Sequence, residues 1–279
     1  MTSIATKSIF QAIADSVEGA LAAAETTLPD DVRDAIGSAA DSETNPVARN
    51  ELQNILRNIE TAADGRVPVC QDTGVPVIYM TLPPGIPYTR EIEEAVAEGV
   101  RKATASVPLR PNVVQPITRE NSGDNTGLSW PVIHARPGER FSVTVFPKGA
   151  GSENMSRMAM LLPSQTGLIK KYVVETVLLA GGRPCPPVIV GVGIGGTFDG
   201  APALAKEALL ERIDIMDEYE QEICDAINAL GIGPMGLGGD TTALSVKLKR
   251  AGCHTASLPV AVNIQCWASR HVTVYPEVD

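Results

Sequence analysis

The run Val188-Ile-Val-Gly-Val-Gly-Ile194 constrains this fold more than any other segment. Seven residues without a polar side chain, following Pro184-Cys-Pro-Pro187, read as a short buried strand. Such a strand needs sheet neighbours and covering helices, and the rest of the chain has both patterns. The clearest helix is predicted over 89–105. Its small or apolar positions Ile92, Ala95, Val96, Gly99, Val100 and Ala103 recur at helical spacing, with Glu91, Glu94, Glu98 and Arg101 between them. Further helices are expected at 3–28, from Pro46 with Asn45 as cap to about 63, at 164–180 before Gly181-Gly182, and at 202–211 and 214–230. Strands are expected at 75–82, 258–264 and 272–275, and the alternation of Phe141, Val143 and Val145 with Ser142 and Thr144 marks another. Residues 109–129 form a long loop rich in Pro, Asn, Gly and Asp, and 148–154 a glycine-rich turn. Helices and strands mix without a βαβ rhythm, so the expected class is α+β: a mixed β-sheet with surrounding helices and an N-terminal helical region.

Charge narrows the functional classes. The formal net charge of −10 argues against nucleic acid as the main partner, because phosphate binding needs a cationic surface. It leaves room for a small anionic substrate, since a few local arginines reverse the field inside a cleft. No secretory segment and no apolar run long enough for a membrane span is evident, so a cytoplasmic location is expected. Five cysteines in a chain of this length do not read as a disulfide framework.

Gly191, Gly193 and Gly196 spell G-x-G-x-x-G, the dinucleotide fingerprint on paper. The context disagrees. Thr197 to Pro202 delays the helix that should open within the motif, and Asp214 and Asp217 begin a helix where the fingerprint wants the end of a strand. The glycines are better explained as allowing close packing or close approach to a site.

Three cysteines stand out by context rather than spacing. Cys70 precedes Gln71, Asp72 and Gly74, Cys185 is locked among prolines, and Cys266 ends an apolar strand before Trp267 and Arg270. All three are expected in loops or at element ends. Cys224, in a charged helix beside Ile223, is assigned to packing, and Cys253 beside His254 stays open between roles.

The segments VCQDTG (69–74), ENSGDNTG (120–127), PKGAGSENMSRM (147–158), PCPPVIVGVGIGGTFD (184–199), GIGPMGLGGDTTAL (231–244) and LPVAVNIQCWASRH (258–271) carry a specific resemblance. With them the chain resembles the alpha subunit of the iron–sulfur (class I) fumarate hydratase and L-tartrate dehydratase family, over most of its length after residue 65. The resemblance implies a 4Fe–4S cluster held by Cys70, Cys185 and Cys266, with one iron not ligated by cysteine. It implies one cluster-binding alpha-subunit domain over 1–279, made of a helical part (1–65) and a cluster-binding part (66–279). It also implies a separate beta subunit in an α2β2 assembly, because no segment resembles the KGRDxAH-type region of fused members.

The same resemblance places Asp72 and His254 as catalytic residues, and Gln71, Arg119, Gly149 and Ala150 as substrate-binding residues. Aspartate is a plausible acid–base group, although Asp72 also suits an Asx-turn with Thr73-Gly74. Arg119 suits two-pronged pairing with a substrate carboxylate. The family usually has glycine where this chain has Ala150. Lys148, Arg157 and Arg270 suit either the anionic site or structural ion pairs. The expected reaction is reversible hydration of fumarate to (S)-malate, supported by Arg119 before ENSGDNTG and by the GSENMSR run. L-Tartrate dehydration to oxaloacetate is the alternative, favoured by Trp267 after the third cysteine. A non-enzymatic iron–sulfur redox sensor, a zinc protein and a nicotinamide dehydrogenase are weaker competitors.

Overall fold

The computed structural model describes residues 8–277. The chain divides into two compact units. The first comprises Met1–Leu28, Ile59–Lys148 and Arg270–Asp279, and the second Pro29–Asn58 and Gly149–Ser269. Each holds a four-stranded mixed sheet, so the α+β class expected from the sequence is what the chain adopts.

The first unit orders its sheet β2(Val132–Pro137), β1(Val75–Leu82), β3(Ser142–Lys148), β8(Val272–Val274). Only the β1–β2 pair is parallel. Helices α1(Ile9–Thr26) and α4(Arg90–Ser106) pack together in this unit, and α1 also lies on β3 and β8. Ile13, Val17 and Leu21 of α1, Ile92, Val96 and Val100 of α4, and Ile78, Met80, Val143 and Val145 of the sheet form one core. Gly99 permits the crossing: a Cβ there would stand 2.5 Å from the Ala14 carbonyl oxygen.

The second unit orders its sheet β4(Arg157–Leu161), β7(Leu258–Gln265), β5(Val188–Gly196), β6(Ala243–Cys253), with β5–β6 the parallel pair. Strand period two divides β5 between two faces. Val188, Val190 and Val192 join the core with Val173 and Val177 of α6(Ile169–Ala180) and Ile223 and Ile227 of α8(Glu218–Asn228). Gly191 and Gly193 face α7(Gly200–Ala208) instead. A Cβ on Gly193 would lie 2.0 Å from the Ala201 carbonyl oxygen, and one on Gly191 2.1 Å from that of Ala205. The glycine pattern is therefore a helix-on-strand packing device, as its context predicted.

Most elements follow the sequence expectations within a few residues. Asn45 caps α3(Pro46–Gly65), its Oδ1 accepting from the Val47 N–H at 2.9 Å. The part of the first expected helix over 3–7 lies outside the described residues. The elements that go beyond the expectations include α2(Asp30–Ser42), β2, β4 and β6. β2 and β4 are edge strands, whose exposed side gives a weak apolar signal. β6 carries Lys247 inward, buried against Glu220 at 3.0 Å, which breaks the expected apolar run. The turn expected at 148–154 is the end of β3 followed by one helical turn, α5(Ala150–Glu153). Among the described residues no helix is long and apolar enough to cross a membrane.

Candidate active site

In the first unit the candidate residues gather on the turn before β1 and on the loop tied to it. Val69 donates its N–H to the backbone oxygen of Glu25 at 2.9 Å. Cys70 follows half-buried, then exposed Gln71 and half-buried Asp72. Asp72 Oδ1 accepts from the Gly74 N–H at 2.9 Å, so the Asx-turn is present and fixes the carboxylate beside the cysteine. The long loop is tied to the same turn. Arg110 N–H donates to Thr73 Oγ1 at 3.1 Å, and Asn112 Nδ2 to the Gly74 oxygen at 2.8 Å. Arg119 projects from that loop, exposed, with a left-handed φ of 62° and its N–H on the Gln115 oxygen at 2.9 Å. The loop bearing Arg119 and the turn bearing Gln71 and Asp72 thus form one hydrogen-bonded assembly.

Glu25 was not singled out by sequence reasoning, yet it is central to this turn. Its side chain is fully buried and forms an ion pair with buried Arg270 at 3.1 Å. Arg270 Nη2 also donates to the Asp72 backbone oxygen at 2.8 Å. Burial pushes the Glu25 carboxyl up to about 7; Arg270 pulls against that shift and the Asp72 charge adds to it. The signal in the sequence is a glutamate on the apolar stripe of α1, four residues after Leu21. Arg270, left between two roles by the sequence, is a buried structural ion pair here.

In the second unit Cys185 and Cys266 come together. The Trp267 N–H, one residue past Cys266, points to the Cys185 backbone oxygen at 3.4 Å. Cys185 holds a left-handed φ of 54°, an uncommon state for a residue with a side chain. Its neighbours enforce it: Cys185 N–H donates to the Gly182 oxygen at 3.2 Å, and Met235 N–H to the Pro186 oxygen at 2.7 Å. The loop around Met235 is held in turn by Glu43, a fully buried carboxylate that accepts from the N–H groups of Asp240 and Thr241.

Gly149 and Ala150 lie in the second unit, at the start of α5. A Cβ on the next residue, Gly151, would be 3.8 Å from the Arg183 oxygen, which puts this turn beside the Cys185 loop. Ala150 is helical and does not have a positive φ, so its methyl group is compatible with the backbone here. Asn263 on β7 clamps the end of α5 and the run after it, its Nδ2 donating to Glu153 at 2.8 Å and to Ser156 at 2.9 Å.

His254 is not brought to the two cysteines of its unit. Cys185 precedes the start of β5, and Cys266 follows the β7 residue paired with Ile189. Cys253 instead pairs with Gly196, at the other end of β5. Eight residue steps of strand separate those ends by roughly 26 Å. His254 is exposed there, its Nδ1 accepting from the Ala256 N–H at 3.1 Å. It borders a cleft of about 620 Å³ with Thr197, Leu204 and Glu207.

The thiols themselves sort by environment. None of the five cysteines is in a disulfide, and Cys70, Cys185 and Cys266 are all half-buried. Cys224 is packed into the second core, where burial pushes its thiol up to about 12. That keeps it protonated, as suits a packing residue. The three half-buried sulfurs are soft donors of the kind iron–sulfur clusters take. Among the described residues, no group of three or more His, Cys, Asp or Glu side chains could hold a single metal ion.

Comparison with known proteins places the chain in one family. The family model described as fumarate hydratase (Fumerase) matches residues 14–275. A Methanocaldococcus jannaschii protein named "Putative L(+)-tartrate dehydratase subunit alpha" is 48% identical over 272 residues, covering 92% of this chain and 95% of its own. The L(+)-tartrate dehydratase subunit alpha of Escherichia coli (strain K12) is 31% identical over 267 residues, covering 91% of this chain and 87% of its own. The protein of the same name from Shigella sonnei (strain Ss046) matches to the same extent. The chain belongs to the fumarate hydratase family of hydro-lyases.

Proposed function

We propose that this chain is the cluster-carrying alpha subunit of a hydro-lyase acting on a four-carbon dicarboxylate, working with a separate beta subunit in an α2β2 assembly. The observation that carries the reading is the Cys70-Gln71-Asp72 turn, where a thiol and a fixed carboxylate share one short loop tied to the loop of Arg119. Cys70, Cys185 and Cys266 are the proposed ligands of a 4Fe–4S cluster. Such a cluster, when bound by three thiolates, supplies a Lewis-acidic iron with a position open to a substrate hydroxyl and carboxylate. Asp72 moves a proton at its carboxylate, and Arg119 pairs with a substrate carboxylate. Gln71, Gly149 and Ala150 orient the substrate, and the beta chain supplies the groups that complete turnover.

Hydration of fumarate to (S)-malate is the leading reaction, on the strength of Arg119 with ENSGDNTG and the GSENMSR run. L-Tartrate dehydration is the second reading, favoured by the names of the relatives and by Trp267. His254 is proposed to contact substrate or carry a proton. Within its own unit it stands at the end of β5 away from Cys185 and Cys266, so a mixed assembly of variant chains is the test of whether it serves another chain's site. The deciding experiment is anaerobic co-expression with the beta chain, followed by assays with malate, fumarate and L-tartrate. Turnover of malate and fumarate with little on tartrate supports the first reading, strong preference for tartrate replaces it with the second, and no turnover of any of them refutes both.

A further inference from the structure

The turn from Val69 to Asp72 is held at both ends by one buried pair. On one side Val69 donates to the Glu25 backbone oxygen. On the other, the Glu25 side chain holds Arg270, and Arg270 Nη2 donates to the Asp72 oxygen. Cys70 and Gln71 form the arch between these anchors. All of these groups lie in the first unit, and Glu25 and Arg270 are 0% and 2% exposed.

A buried ion pair is weak evidence for stability, since well-packed apolar residues of similar volume often do as well. An apolar pair could not donate to the Asp72 carbonyl, however. The guanidinium uses one nitrogen for Glu25 and another for Asp72, a division its rigid fork allows and a lysine ammonium cannot copy. We propose that Glu25 and Arg270 are positioning residues that hold the Cys70 thiol and the Asp72 carboxylate in their working places. The inference rests on the reading of Cys70 and Asp72 given above and extends it to two buried residues behind that turn.

The test uses the full-length chain freed of metal under reducing conditions, with iodoacetamide as probe and mass spectrometry to follow each cysteine. Exposed Cys253, distant in sequence from the anchors, is the internal standard. Arg270→Lys keeps the charge opposite Glu25 and loses the fork. The double variant Glu25→Gln/Arg270→Met removes the charges at similar volume and guards against simple unfolding. In both, labelling of Cys70 relative to Cys253 should rise about tenfold or more, as expected from losing one charge-assisted hydrogen bond, with Cys185 and Cys266 unchanged. Labelling of Cys70 that stays at the wild-type ratio, or rises only in step with Cys185, overturns the proposal. In the complex with the beta chain, both variants should lower kcat about tenfold or more with little change in KM. A wild-type complex inactive on every dicarboxylate would refute the functional reading while leaving the labelling result to judge the anchor.

Discussion

Replacing Gly193 with alanine would test the packing account of the second unit most sharply. The new methyl group would sit 2.0 Å from the Ala201 carbonyl oxygen, 2.7 Å from the Ala205 nitrogen and 2.9 Å from Leu204 Cβ. Carbon and oxygen need roughly 3.2 Å, so α7 must withdraw by about 1.2 Å or β5 must bend. The nearest obstacles are backbone atoms, which no rotamer change moves aside. Ala201, Ala205 and Ala208 are all fully buried, and a displaced α7 would loosen each of them. Overpacking of this kind costs about 1–3 kcal/mol, and the rigid obstacle argues for the upper end. In a chain of this size that is a drop in Tm of roughly 6–12 °C. Gly37→Ala is the matched control, because Gly37 lies inside α2 with nothing within 4 Å of a new Cβ. It should stabilise by about 0.5–1 kcal/mol through helix propensity alone. Both variants should be followed by thermal and urea denaturation, with a nicotinamide titration of the wild type alongside. A Gly193→Ala variant that melts within a degree of wild type would refute the packing argument, and saturable nicotinamide binding would revive the fingerprint reading.

Glu25 should make stability depend on pH. Its folded value of about 7 lies above its ordinary 4.5, so between these pH values the folded chain keeps a proton that the unfolded chain releases. Stability should therefore fall as pH rises through this window, by about 3 kcal/mol in total, and Glu25→Gln should flatten the slope in urea melts. An unchanged slope would show that Glu25 does not titrate there. Cys224→Ser should cost about 1–3 kcal/mol, because a hydroxyl replaces a buried thiol, yet leave iron and sulfide content per folded chain unaltered. Cys266→Ser, by contrast, should sharply reduce both contents; a full cluster in that variant would end its assignment as a ligand. Co-expressing Cys266→Ser and His254→Asn chains with the beta subunit should restore activity that neither variant shows alone, if His254 serves another chain's site. Failure of mixed assemblies to regain activity would remove that role.

Local pattern by itself settled several features of this protein. The apolar run of β5, the period of α4 and the Asn45-Pro46 start of α3 rest on contacts a few residues apart, and strong local periodicity is legible without a fold. The cysteine contexts were also legible. Prolines around Cys185 and the Gln-Asp-Thr-Gly run after Cys70 mark shaped loops whatever surrounds them. Membership of the hydro-lyase family followed from long matching segments and agrees with the comparisons. The tertiary structure alone decided how segments distant in sequence meet. It divided the N-terminal helices, setting α1 in one unit and α2 in the other. It joined Glu25 to Arg270 across most of the chain, and Glu43 to the Asp240 loop. It set His254 at the end of β5 away from Cys185, because β6 runs parallel to β5 and carries its last residues to the opposite end of that strand. Such pairings depend on strand direction and on which buried charge finds which partner. Those are properties of the folded whole, and no window of sequence contains them.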